Sequence, residues 1–155
     1  MRFIRLLLAT ICIAAFMACP VQAGDIQGAE ILCSTANVTL TTTSETAIIT
    51  SNPLSKKRIG SSYFVVAWAQ LTTGTATTTV TPRLRRGTDT SGTVVGEANA
   101  ITVGAAAGSN ETFDDQAQDT PGDVAFQQYT LTLQQASATG NGTSLNACIS
   151  VQEVQ

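Results

Sequence analysis

A chain of 155 residues, 12% of them charged, with 8 basic residues against 11 acidic ones, has room for one ordinary domain. It lacks the cationic excess that displaces counterions from phosphates, which excludes nucleic acid as a partner. It has no histidine, which removes Ser-His-Asp and Cys-His catalysis, His-ligated zinc and the usual general base near neutral pH, so no enzyme is expected.

Met1-Arg2-Phe3-Ile4-Arg5 sets two cations before an apolar run from Leu6 to Ala18, and Val21-Gln22-Ala23 supplies small residues before Gly24. This is the layout of a signal peptide. The run is shorter than the roughly 20 apolar residues that span a bilayer. Residues 1–23 are therefore expected to be removed, leaving 24–155 as one secreted domain without a membrane span. A lipoprotein acylated on Cys19 is the alternative, against which stand the poor lipobox Phe16-Met17-Ala18-Cys19 and the Pro20 that follows it. Loss of Arg2 and Arg5 takes the net charge from −3 to −5. Cys12 and Cys19 leave with the leader, so Cys33 and Cys148 remain to form one disulfide between the first and last strands. Closing so long a loop stabilises by roughly 4 to 5 kcal/mol in the chain-entropy model. Two buried free thiols are the alternative.

Thr is frequent and turn residues punctuate short apolar runs, while no window holds an i, i+3, i+4, i+7 stripe. The predicted strands are 29–33, 37–42, 46–51, 61–72, 76–86, 93–98, 100–104, 111–116, 124–134 and 143–154. Their number and short connections predict an all-β, antiparallel two-sheet sandwich of about 8 to 10 strands, jelly-roll-like, with little or no helix. In Tyr129-Thr130-Leu131-Thr132-Leu133 the odd positions are apolar, giving one buried and one wet face. Leu145, Ala147, Ile149 and Val151 repeat this, which puts Cys148 on the opposite face, outside the main core. In the strand at 63–69 both alternating sets are apolar, Tyr63, Val65 and Ala67 on one side and Phe64, Val66 and Trp68 on the other. Such a strand is expected to be covered on both faces, by a loop or by another subunit.

Pro82-Arg83-Leu84-Arg85-Arg86 runs into the polar turn Gly87-Thr88-Asp89. Arg83, Arg85 and Arg86 read either as an exposed cationic patch for a glycan carboxylate or an acidic loop, or as charges guarding a sheet edge. Asp114, Asp115, Asp119 and Asp123 offer clustered oxygen ligands on a loop, a candidate calcium site without EF-hand spacing, against which stand ordinary Asp-initiated turns beside Pro121-Gly122. No other metal and no cofactor is implied. Asn37-Val38-Thr39, Asn110-Glu111-Thr112 and Asn141-Gly142-Thr143 fit the N-glycosylation sequon.

The phrases Val80-Thr81-Pro82-Arg83-Leu84-Arg85-Arg86-Gly87-Thr88, Gly92-Thr93-Val94-Val95-Gly96, Asp119-Thr120-Pro121-Gly122 and Tyr129-Thr130-Leu131-Thr132-Leu133 resemble small jelly-roll domains of phage and virus structural proteins, over roughly residues 60–154. The resemblance implies a jelly roll that assembles, often as a homotrimer, on a virion or fibre, and it carries no functional residue. A cleaved leader and a disulfide depart from parts assembled in the cytoplasm and fit a secreted protein of a cell surface. The expected function is a non-enzymatic structural or adhesive subunit that self-associates, with a surface glycan or protein as further partner. A monomeric carbohydrate-binding module is the alternative.

Overall fold

The computed structural model describes residues 30–55, 61–73, 76–105, 109–122 and 126–154. The expected leader with Cys12 and Cys19, and Asp123, lie outside the described residues. Twelve strands form among them and no helix: β1 (Glu30–Ser34), β2 (Val38–Thr39), β3 (Thr46–Thr50), β4 (Leu54–Ser55), β5 (Ser62–Thr72), β6 (Thr78–Arg86), β7 (Thr93–Glu97), β8 (Ile101–Val103), β9 (Asn110–Asp119), β10 (Phe126–Gln127), β11 (Tyr129–Gln135) and β12 (Thr143–Val154). No helix among the described residues is long and apolar enough to cross a membrane.

Eight strands carry the fold as one long nested hairpin, all antiparallel: β1 pairs with β12, β3 with β11, β5 with β9, and β6 with β7. Winding that hairpin brings β12 beside β5 and β11 beside β6. The result is two sheets, β1-β12-β5-β9 and β3-β11-β6-β7, which is the jelly-roll order. β2 continues the edge beside β1, β8 pairs with the start of β6, and β4 with β10 forms a small separate ladder.

The inner faces meet in one apolar cluster. Val65, Ala67, Ala69 and Leu71 of β5 and Ile149 and Val151 of β12 pack against Val80 and Leu84 of β6 and Tyr129, Leu131 and Leu133 of β11. At one end this layer turns polar. Tyr129 donates its hydroxyl to Asp119 Oδ2 at 2.9 Å, Arg86 Nε lies 3.2 Å from the same oxygen, and the Tyr63 and Tyr129 rings are 5.7 Å apart.

Four local expectations are corrected. The strand expected over 111–116 runs on to Asp119 as the ten-residue β9, so Asp114, Asp115 and Asp119 lie on a strand and not on a loop, because Phe113 and Ala117 reach the core and anchor it against β5. The strand expected over 124–134 breaks at Gln128, whose carbonyl accepts from Gly87 N at 2.8 Å and whose side chain donates to the Ser51 carbonyl at 3.0 Å. Leu145 is only half-buried, because the pairing of β12 with β5 shifts register between Ser144 and Asn146 and rotates it off the inner face. Thr130 and Thr132 are fully buried instead of wet. Thr130 Oγ1 donates to the Gly87 carbonyl at 2.7 Å, and Thr132 Oγ1 bonds Glu45 beneath a covering segment.

Candidate interaction surface

Because neighbouring side chains on a strand alternate between faces, the registers of β1, β12, β5 and β9 define the outer face of that sheet. One cross-strand row runs Ile31, Ser150, Val66, Gln116; the next runs Cys33, Cys148, Trp68, Asp114. Gln152, Phe64 and Gln118 flank them on one side, and Asn146, Gln70 and Thr112 on the other. Asn146 Nδ2 donates to Gln70 Oε1 at 3.1 Å, consistent with a shared row. Asp114 is the only charge in these four rows. Ile31 is 72% exposed, Trp68 39% and Phe64 37%, so apolar surface lies open on a face that carries amides in place of ions.

The six residues singled out on this strand separate cleanly. Tyr63, Val65 and Ala67 point inward and are buried in the core, so the contacts they make are those of the sandwich itself. Phe64, Val66 and Trp68 face outward, and they alone of the six are open to a partner. The expected disulfide is formed: Cys33 and Cys148 stand opposite each other in register and are bonded across a sequence separation of 115. It lies on the outer face beside Trp68, outside the apolar cluster as the alternation indicated.

The outer face of the second sheet is covered around Arg83 and Arg85, while Val94, paired with Arg85 on the same face, is 42% exposed. Arg83 and Arg85 were expected at an exposed patch or a guarded edge, but β6 is flanked by β11 on one side and β7 and β8 on the other. Their side chains are 19% and 14% exposed. Both reach Glu45, whose segment before β3 lies over them: Arg85 Nε and a terminal guanidinium nitrogen donate to its two oxygens at 2.5 and 2.6 Å, and Arg83 reaches it at 3.4 Å. Arg83 also donates to Gln134 Oε1 at 2.7 Å and pairs with Glu97, and Arg85 donates to the Gly92 carbonyl at 2.6 Å. Burial pushes the Glu45 carboxyl up, but the hydrogen bonds from Arg85 and Thr132 and the two guanidinium charges outweigh it and hold the group below its ordinary 4.5. These arginines are consumed in fastening the fold. Arg86 faces the other way, into the end of the sandwich, on Asp119.

The candidate calcium ligands are not brought together. Alternation along β9 puts Asp114 on the outer face and Asp115 and Asp119 on the inner one, where Asp119 is held by Tyr129 and Arg86. Among the described residues no three acidic, Cys or His side chains converge on a metal-sized site. Asp115 Oδ2 is buried without a hydrogen-bond partner, and burial, with the charges of Asp114 and Glu97, raises its carboxyl above the ordinary 3.8 against the pull of one backbone N–H from Gln116. The sequon asparagines Asn37, Asn110 and Asn141 are exposed.

Sequence reasoning missed Ile31 and Glu45. Ile31 sits between Glu30 and Leu32, too short a pattern to fix its face. Glu45 lies some forty positions before its arginine partners, and the only available signal was a lone acid in a Thr-rich turn opposite two arginines of one parity.

The fold and this surface define an antiparallel jelly-roll sandwich with one outer face partly covered and one open and nearly uncharged. No protein-family model matches the chain, and no curated protein matches it. Among solved structures it is similar to a chain in the structure of infectious bursal disease virus, Gx strain, with a TM-score of 0.48 and 11% identity over 81% of this chain. This chain spans about a third of that one's length, 32%.

Proposed function

We propose that this protein is a secreted, non-enzymatic structural or adhesive subunit that self-associates, as a homotrimer, on a virion, a fibre or a cell surface. The observation that carries the reading is the open outer face of the β1-β12-β5-β9 sheet, where Phe64, Val66, Trp68 and Ile31 stand among uncharged amides. Burying such side chains gains roughly 25 cal/mol per Å² of apolar area. A chain whose acids outnumber its bases repels its own copies least where charge is absent, and Gln and Asn side chains each offer both donors and acceptors to the surface of a neighbouring subunit. Four strands about 4.8 Å apart, with eleven residues rising about 3.3 Å each, give a footprint of roughly 500–700 Å². A stable interface buries roughly 800 Å² per partner. Light scattering after size exclusion tests the reading: a trimer supports it, and a monomer at every concentration refutes it.

The monomeric carbohydrate-binding module remains the second reading, favoured by one feature, the adjacency of Trp68 to Asp114 in one row: an indole for stacking and a carboxylate for sugar hydroxyls. A glycan array with wild-type protein and Asp114→Asn separates the two, since only this reading loses a signal on substitution.

A further inference from the structure

β1 is held by fewer register pairs than β9, the opposite edge of its sheet. It is an edge strand paired only with β12, over five register positions. None of its five residues is fully buried, and Ile31 and Cys33 are exposed, whereas the β12 residues opposite its inner face, Ala147, Ile149 and Val151, belong to the core. Among the described residues, its attachments beyond the ladder include contacts with β3, the partly buried Leu32, a hydrogen bond from Asn52 to Glu30, and the disulfide. Thr35, Ala36 and Asn37, which follow it, are exposed and outside any strand, and then β2 rejoins the same edge of β12 at Ser144.

We infer that β1 is an exchangeable strand, and that the disulfide can be remade between two copies of this chain, with β1 of each lying on β12 of the other and Cys33 of one bonded to Cys148 of its partner. The occupant of a vacated β12 edge is a second β1 because that strand carries the register, the inward Leu32 and the cysteine that match it. An uncovered β12 would expose a row of unpaired backbone groups, so the edge is strongly driven to recapture a strand. The three-residue hinge spans at most about 10 Å when extended, which places the two copies edge to edge along their β12 strands.

The chemistry is a redox-neutral exchange. A small thiolate attacks Cys33 Sγ on the exposed strand; the bond to Cys148 breaks, and Cys148 Sγ leaves as thiolate. β1 swings out, and the Cys148 thiolate of a second copy attacks the mixed disulfide at Cys33, expelling the small thiol unchanged. Two internal disulfides become two intermolecular ones with no net electrons transferred. Reclosure within one chain competes at an effective concentration in roughly the millimolar range. Exchange therefore prevails in concentrated protein or among subunits already side by side, and it does not require the Trp68 face.

The test mixes equal amounts of nitrogen-isotope light and heavy full-length chain at about 1 mM with catalytic reduced glutathione, quenches by alkylation, and reads the Cys33–Cys148 linked peptide by mass spectrometry. Mixed-isotope linkage rising toward half of the linked peptide, with a covalent dimer on non-reducing electrophoresis, is the expected result. Linkage that stays single-isotope overturns the inference, whether glutathione adducts show that the bond opened or it never opens. Light scattering of the unexchanged protein reports non-covalent assembly separately, so either result can fail while the other stands.

Discussion

Replacing Glu45 by Gln keeps the shape of the side chain and removes the charge around which Arg83 and Arg85 are gathered. Arg85 makes two short bonds to the carboxylate, Arg83 a longer one, and Thr132 donates a further hydrogen bond. Exposed ion pairs contribute roughly 0.2 to 1 kcal/mol and breaking a buried one costs roughly 3 to 5. Side chains 13 to 19% exposed stand between those limits. The expected loss is about 2 to 3 kcal/mol near pH 7, which lowers a urea midpoint by about 1 M or more at the usual slope for small domains. The pH dependence follows from the direction of the Glu45 shift. Its folded pKa is depressed, so its stabilisation is present above the ordinary 4.5 and is lost as pH falls through the folded value. Urea unfolding followed by circular dichroism should therefore show wild type and variant well separated at pH 7 and converging in acid. A difference below about 0.5 kcal/mol at pH 7, or one that is unchanged in acid, would refute the clamp.

Three further substitutions probe other parts of the sandwich. Asp115→Asn should raise stability at pH 7 by about 1 kcal/mol; the raised folded pKa means wild type loses stability as pH climbs from 3.8 through that value, so the advantage should vanish at low pH in the same urea assay. Tyr129→Phe removes the hydroxyl that bonds Asp119 at 2.9 Å inside the end layer and should cost about 1 to 3 kcal/mol in thermal unfolding, a neutral result contradicting the role given to that bond. Gly92→Ala would set a Cβ 2.2 Å from the Arg86 carbonyl oxygen, a backbone atom that cannot move without displacing the β6–β7 turn, and a loss of about 2 kcal/mol or more in the same measurement is expected.

What the sequence revealed and what it hid divide along sequence distance. The strand period and turn residues placed the eight principal strands to within a few positions, and two cysteines allowed one pairing. The doubly apolar run at 63–69 marked an outer face that carries apolar side chains, because alternation needs only neighbours in the chain. Arg83 and Arg85 were misread for the opposite reason. Their parity correctly put them on an outer face, but whether that face is wet depends on Glu45, about forty residues earlier, folding over them. The acids of β9 misled because Asp disfavours strands locally, a preference overridden here by Phe113 and Ala117 in the core and ten register pairs with β5. Thr130 and Thr132 follow the same lesson: polar alternation predicts a solvent-facing side, and a covering segment turns it into an interior one.

The central claim, that the open face around Trp68 joins copies of this chain, is tested most directly by the solution mass of wild type beside a Phe64→Ser/Trp68→Ser double variant, by light scattering after size exclusion in non-reducing buffer. The account predicts three chain masses for wild type and one for the variant, with matching circular dichroism spectra. A wild type that stays at one chain mass, or a variant that still assembles as wild type does, would contradict it.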